Sequence, residues 1–208
     1  MKPRVDFDLI LDTVEPGARV LDVGCGDGAL LARLEAERNA QGFGLELSQS
    51  GVNAAVARGL SVVQGDADRD LAVYPDAGFD YAILTQTIQA TRNPKAVLSD
   101  LLRIARRAIV SFPNFGHWRV RWSLMSSGRM PVTAALNAPW HATENIHLCT
   151  VRDFTALVDE VGAHVEALTP IAGGRARHVW STPLWVSNWM AEEALFVLSR
   201  STPLDGSP

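Results

Sequence analysis

Cysteine is scarce in this chain, no apolar run is long enough to cross a bilayer, and positive charge is not in excess. The two cysteines, Cys25 and Cys149, share no spacing with each other or with histidines that would make a disulfide framework or a metal site. A reducing cytoplasm is therefore the expected setting, with no metal bound. A membrane-spanning helix needs about 20 apolar residues, and no run here approaches that, so no membrane insertion is expected. The opening Met-Lys-Pro-Arg leads into acidic residues rather than a signal-peptide core. A formal charge of −4 provides no general attraction for nucleic acid. What is present is a globular balance: 208 residues, 47% hydrophobic and 20% charged, enough for one domain with a sizeable core. Neither an internal repeat nor a linker divides it. A single domain over residues 1–200 is expected, with 201–208 as a disordered tail.

The chain is organised around Arg19-Val20-Leu21-Asp22-Val23-Gly24-Cys25-Gly26-Asp27-Gly28-Ala29-Leu30-Leu31. Val20, Leu21 and Val23 read as a buried strand, and Leu30, Leu31 and Leu34 as one face of a helix. Glycines between strand and helix let a ligand approach the backbone, with unpaired helix N–H groups pointing at it. Gly24, Gly26 and Ala29 also satisfy the G-x-G-x-x-A form of a dinucleotide fingerprint. Asp22 and Asp27 argue against pyrophosphate, which they would repel, and suit a ligand with an ammonium and a sulfonium. The run Asp22–Gly28 resembles motif I of the class I methyltransferases that use S-adenosylmethionine.

Further elements follow at regular spacing. A lead-in helix over residues 1–14 stops at Pro16-Gly17. The helix after the loop runs to about Arg38, and Gly42–Leu47 reads as a second strand with Glu46 at its end. An acidic residue about twenty positions beyond the loop accepts hydrogen bonds from ribose hydroxyls in dinucleotide folds; a solvated strand-end Glu is the alternative. Ser48–Arg58 reads as a helix closed by Gly59. The strand Leu60–Gln64 delivers Gly65-Asp66-Ala67, where Asp66 either meets a base or caps the following turn. Phe79–Leu84 is a fourth strand leading into Thr85-Gln86-Thr87-Ile88-Gln89, in which Gln86 and Gln89 are neutral and neither makes a convincing general base. Asn93-Pro94 starts a helix that ends among Arg103, Arg106 and Arg107, placed to favour its dipole. Ala108–Phe112 is the fifth strand. Strand and helix in alternation specify a parallel, doubly wound sheet with ligands at the strands' carboxyl ends.

After the fifth strand the pattern changes. Trp118, Trp122 and Met125 fall on one face of a helix that also carries Arg119 and Arg121. Such a helix suits a membrane surface, a lid over the cofactor pocket that is simply packed core, or a lid that also binds a substrate or partner. Basic content is low for the first. Thr150 and Asp153 are placed for a capping box before a helix over 151–161. His117, His141 and His147 lack metal-ligand spacing. Gly162–Leu168 and Glu192–Ser199 read as the last pair of strands, at an antiparallel edge. Between them Gly173–Trp180, with Trp185 and Trp189, reads as a long aromatic connection.

The words Leu21–Gly28, Gln86–Ala90, Arg106–Trp118, Gly128–Thr133 and Asn145–Thr150 together resemble one family, the methionine biosynthesis protein MetW, over about residues 5 to 200. Ser-Phe-Pro-Asn-Phe-Gly-His-Trp and Asn-Ile-His-Leu-Cys-Thr are its most specific words. The resemblance implies a Rossmann-like class I methyltransferase fold: a seven-stranded, mostly parallel sheet, its last strand antiparallel, with a lid inserted after strand 5 at about 113–145. It implies S-adenosylmethionine or S-adenosylhomocysteine held by Asp22, Gly24, Cys25, Gly26, Glu46, Leu47, Asp66, Ala67 and Gln86. In the resembling methyltransferases, residues at the Glu46 and Asp66 positions hold the ribose hydroxyls and the adenine amine. It also implies an accessory role beside a homoserine O-acyltransferase of the MetX type. Phe115, His117, Trp118, Trp122 and His147 are the candidates for lid or partner surface. An active small-molecule methyltransferase is the alternative. The Asp/Asn-Pro-Pro-Tyr/Phe word of nucleobase and glutamine amino-methylation is absent, and nucleic-acid methylation is not expected.

Overall fold

The computed structural model describes residues 4–133, 135–136, 138–176 and 183–200. The expected tail 201–208 and the Arg177–Trp180 part of the aromatic connection lie outside the described residues. Helix α1 (Val5–Thr13) precedes β1 (Arg19–Val23), α2 (Ala29–Arg38), β2 (Gln41–Glu46), α3 (Gln49–Ala57) and β3 (Ser61–Gln64). Then come β4 (Phe79–Thr85), α4 (Pro94–Ile104), β5 (Ala105–Pro113), α5 (Trp118–Ser127) and α6 (Val151–Glu160). The chain continues through β6 (Ala163–Ala172), the short β7 (Arg175–Ala176), α7 (Leu184–Met190) and β8 (Glu193–Arg200). One sheet of order β3-β2-β1-β4-β5-β8-β6-β7 joins every strand. The run from β3 to β5 is parallel, and β8 lies antiparallel between β5 and β6.

Both faces of the sheet are covered, so its central strands are apolar on both sides. In β1 the alternation sends Val20 to a cluster with Phe7, Ile10, Leu30 and Leu34 of α1 and α2. Leu21 points the other way, to Val97, Leu98 and Leu101 of α4 and Phe154 of α6. In β4, Tyr81 and Ile83 join the first cluster while Ala82 and Leu84 join the second. This double burial pins the register at the point where β1 gives way to the glycine loop. Among the described residues, no helix is long and apolar enough to cross a membrane.

Several expectations need correction. The sheet has eight strands rather than seven, because the chain after β6 doubles back as the two-residue β7. The pair β6 and β8 forms the antiparallel end of the sheet as expected, with the short β7 added outside β6. The helix α4 ends at Ile104, so Arg106 and Arg107 belong to β5 and only Arg103 lies in the last turn. Arg103 does more than face a dipole; it donates to the carbonyls of Leu71 and Tyr74 and pairs with Asp76 and Asp100. Part of the aromatic connection is helical, as α7. Seven residues opening at Pro183 hold barely two turns, too little for a periodic signal to stand out from a loop.

Candidate functional site

At the carboxyl ends of β1 to β4 the loops enclose a cleft of about 470 Å3. Sites for drug-sized ligands span roughly 300–1,000 Å3. Its lining includes Val23 and Gly24 at the end of β1, Leu45 to Ser48 at the end of β2, Gly65 to Asp68 after β3, and Gln86 and Thr87 after β4. Gly24 turns the chain at φ +75, and a Cβ there would lie 2.7 Å from the Thr87 hydroxyl. A side chain at that position would therefore close the floor of the cleft and force a left-handed conformation on itself.

Of the predicted contacts, Gly24, Glu46, Leu47, Asp66, Ala67 and Gln86 line this cleft. Gly26 stands just behind it, its N–H donating to Glu46 Oε2 at 2.8 Å, while Ser48 N–H donates to Oε1 at 2.8 Å. The glycine loop and the β2 end are thus stitched through one carboxylate. Each oxygen accepts one bond and keeps room for a second, which suits a pair of vicinal hydroxyls. Cys25 turns away into a cluster with Leu31, Ala55 and Leu60. Burial pushes its thiol up to about 12, with Asp22 and Glu46 adding to the effect. It is no nucleophile at neutral pH. Asp66 performs the capping reading, accepting from Asp68 N–H at 3.0 Å, and lines the cleft as well.

Asp22 lies beneath the loop with its Oδ1 buried and unpartnered among the described residues. Burial is the main cause that lifts its carboxyl to about 7; nearby Arg4 opposes the rise, and Glu46 and Asp6 reinforce it. A buried carboxyl without a partner is costly and is relieved by a cation. Asp22 does not line the cleft but lies under the loop that does. The set fits S-adenosylmethionine: negative charge under the loop for the ammonium and sulfonium end, paired acceptors at Glu46, and both the apolar Leu47 and Asp66 in the lining. When bound, that group would supply an electrophilic methyl, and the residues here would hold and orient it.

Gln86 is held in the left-handed region at φ +53. Its N–H donates to Ser111 O at 2.8 Å and its side chain to Glu193 Oε2 at 3.1 Å. Strain kept by such bonds is common where a ligand must be met. Thr87, Thr91, Arg92 and Glu144 also line the cleft, and sequence reasoning missed them. They come from the turns after β4 and from the insertion, whose approach to the cleft depends on tertiary packing. Among the described residues no group of three or more His, Cys, Asp or Glu is placed to hold a metal.

The insertion between β5 and α6 meets the cleft through Glu144 rather than through α5. Trp118, Trp122 and Met125 are exposed and Val120 is the buried residue of α5, so the aromatic face is not packed core. Phe115 is half-buried, His117 is buried at the start of α5, and His147 is exposed. The N–H groups of Ile146 and His147 both donate to Gln89 O, and Phe115 N–H donates to Cys149 O. Asn114, fully buried, accepts from Gly116 and Val151 N–H and donates to the carbonyls of Asn188 and Ala191. One side chain thereby ties β5 to the starts of α5 and α6 and to the end of α7. The two most specific words of the sequence, around Asn114 and His147, therefore anchor the insertion to the sheet.

The sheet order, the glycine loop after β1 and the carboxylates after β2 and β3 define a protein of the class I methyltransferase fold. A chain from the complex between the Haloferax volcanii Trm112 methyltransferase activator and a methyltransferase superposes with a TM-score of 0.68. It has 18% identity, with 96% of this chain and 91% of that one covered. A SAM-dependent methyltransferase from Thermotoga maritima gives 0.64 at 16% identity, covering 95% and 88%. At such identities the likeness carries the fold alone. The family described as methionine biosynthesis protein MetW matches residues 4–198, and the chain belongs to it. The bifunctional methionine biosynthesis protein MetXA/MetW of Rhodopirellula baltica is 33% identical over 171 residues, which is 78% of this chain and 27% of that protein. The chain thus spans about a quarter of that relative's length.

Proposed function

We propose that this chain binds S-adenosylmethionine or S-adenosylhomocysteine in the cleft and acts in the cytoplasm as an accessory subunit of a MetX-type homoserine O-acyltransferase. The observation that carries the partnership is the Rhodopirellula relative, whose printed name joins MetXA and MetW in one bifunctional protein. Where two functions are fused in one chain, their separate counterparts are natural partners. The cofactor part is supported by the unpartnered buried oxygen of Asp22, the paired acceptors of Glu46 and the size of the cleft. S-adenosylmethionine lies downstream of methionine, so its binding would report methyl-donor supply to the acyltransferase. Linkage then requires that the cofactor bind the free and the complexed chain with different affinity.

The test is homoserine acylation by the same organism's acyltransferase, with and without this chain and with added S-adenosylmethionine. Turnover that rises with the chain, and changes again with the cofactor, supports the reading. Unchanged turnover and no co-purification would refute it and leave a small-molecule methyltransferase as the reading to pursue.

A further inference from the structure

A second cavity of about 260 Å3 opens between Asn114, the first turn of α5, the residues Val132, Thr133, Ala135 and Leu136, and Glu192 just ahead of β8. It shares no lining residue with the cofactor cleft. Asn114 is committed to the four bonds described above, so the groups left to meet a ligand are His117, Arg119, Thr133 and Glu192. Arg119 and Glu192 bring unlike charges to one small space. Burial holds the His117 imidazole below its usual range, with Glu192 pulling it up and Arg119 pushing it down, so both charges are felt at the same ring. Glu192 Oε2 accepts from Gly173 N–H at 3.0 Å, which fixes the carboxylate and leaves its other oxygen open. Val120, Val132 and Leu136 make the remaining wall aliphatic.

We propose that this cavity binds a free α-amino acid with a short aliphatic side chain. A zwitterion matches the lining where simpler solutes do not: an inorganic anion meets the Glu192 carboxylate, and a bare amine meets the Arg119 guanidinium. Its carboxylate pairs with Arg119, its ammonium with Glu192, and its side chain removes apolar area from water against Val120, Val132 and Leu136. The volume falls just short of the roughly 300 Å3 at which drug-sized sites begin, which suits a solute of this size. The proposal is independent of the accessory role and uses none of the cofactor residues.

The experiment is titration calorimetry of the full chain with L-alanine, L-valine and L-leucine, and with the N-acetyl derivative and the methyl ester of whichever of these binds most tightly. At least one free amino acid should bind saturably, and blocking either charge should weaken binding by about tenfold or more, about 1.4 kcal/mol. Arg119→Gln and Glu192→Gln should each weaken it by a similar factor. S-adenosylmethionine ends in an amino acid, so each titration is repeated with S-adenosylhomocysteine saturating; binding in the second cavity persists. Absence of saturable binding, loss of binding under S-adenosylhomocysteine, or binding that survives both charge variants would overturn the proposal. If a variant melts below the parent by circular dichroism, the two blocked ligands on the parent chain still decide.

Discussion

Asp22 is the residue at which pH should enter. Its carboxyl sits at about 7 in the folded chain against an ordinary 3.8, chiefly through burial. The folded state therefore binds more protons than the unfolded one between these values, and stability contributed by Asp22 is full below about 4 and lost as pH rises through about 7. Thermal melts of the ligand-free chain should show this slope between about pH 4 and 7, and Asp22→Asn should flatten it. A cationic ligand favours the ionised form, so S-adenosylmethionine should bind more tightly toward pH 8 and release a proton at pH 6. Calorimetry in two buffers of different ionisation enthalpy would count that proton; a count of zero would separate Asp22 from the ligand. Glu46→Gln tests the neighbouring seat with little change of shape. Loss of charged hydrogen bonds costs about 1–3 kcal/mol, so cofactor affinity should fall about fivefold or more while the chain stays folded. Gly24, Glu46 and Asp66 were legible in the sequence because a residue at a strand's carboxyl end has one place to go. Cys25 was not, since alternation in the loop turns its side chain behind the cleft. Arg92 and Glu144 gave no signal, because only packing brings their segments to the site.

Among the elements, β1, β4, β5 and α4 were readable from their apolar residues, as each buries a long apolar face, while the short, exposed β3 was bounded by the glycines on either side of it. The misplacements share one cause. Arg106 and Arg107 look like a helix end because they are cations after a leucine face, yet β5 begins at Ala105 and Arg107 reaches Glu166 of β6 and the Tyr81 hydroxyl. A partner remote in sequence decided the assignment. The junction at Asn114 carries the element-scale prediction. Asn114→Ala would leave two buried N–H groups and two carbonyls without that partner, at about 1 kcal/mol or more each. Urea unfolding should register a loss of about 4 kcal/mol or more. Thr150→Ala is the milder comparison. The capping box there is closed on both arms, Asp153 N–H to Thr150 at 3.2 Å and Thr150 N–H to Asp153 at 3.0 Å. Its loss should cost about 1 kcal/mol. Equal effects of the two changes would mean that Asn114 is no more than another helix cap.

Across the whole molecule, exposed apolar area is concentrated in what β5 and β8 bracket. Trp122, Met125, Trp140, Ile146, Trp185 and Trp189 are all exposed there. Arg121 joins the two helices of this surface, stacking over the Trp189 ring at 5.2 Å while its Nε donates to Gly116 O at 2.6 Å. Arg121 of α5 thus meets Trp189 of α7 on this surface. Large exposed apolar patches mark interaction sites, and tryptophan is the residue most enriched among interface hot spots. If the partner acyltransferase seats on this face, Trp122→Ser and Trp185→Ser should each weaken the complex by about 2 kcal/mol or more, close to thirtyfold in affinity. Neither residue lines the cofactor cleft or the second cavity, so both variants should keep their cofactor affinity. Surface plasmon resonance against the immobilised acyltransferase would measure the first effect, and calorimetry with S-adenosylmethionine the second. Full partner affinity in the double variant would move the docking face away from α5 and α7. Loss of cofactor affinity alongside partner affinity would mean instead that the tryptophans hold the insertion in place over the cleft, with Glu144 as the contact through which the two surfaces communicate.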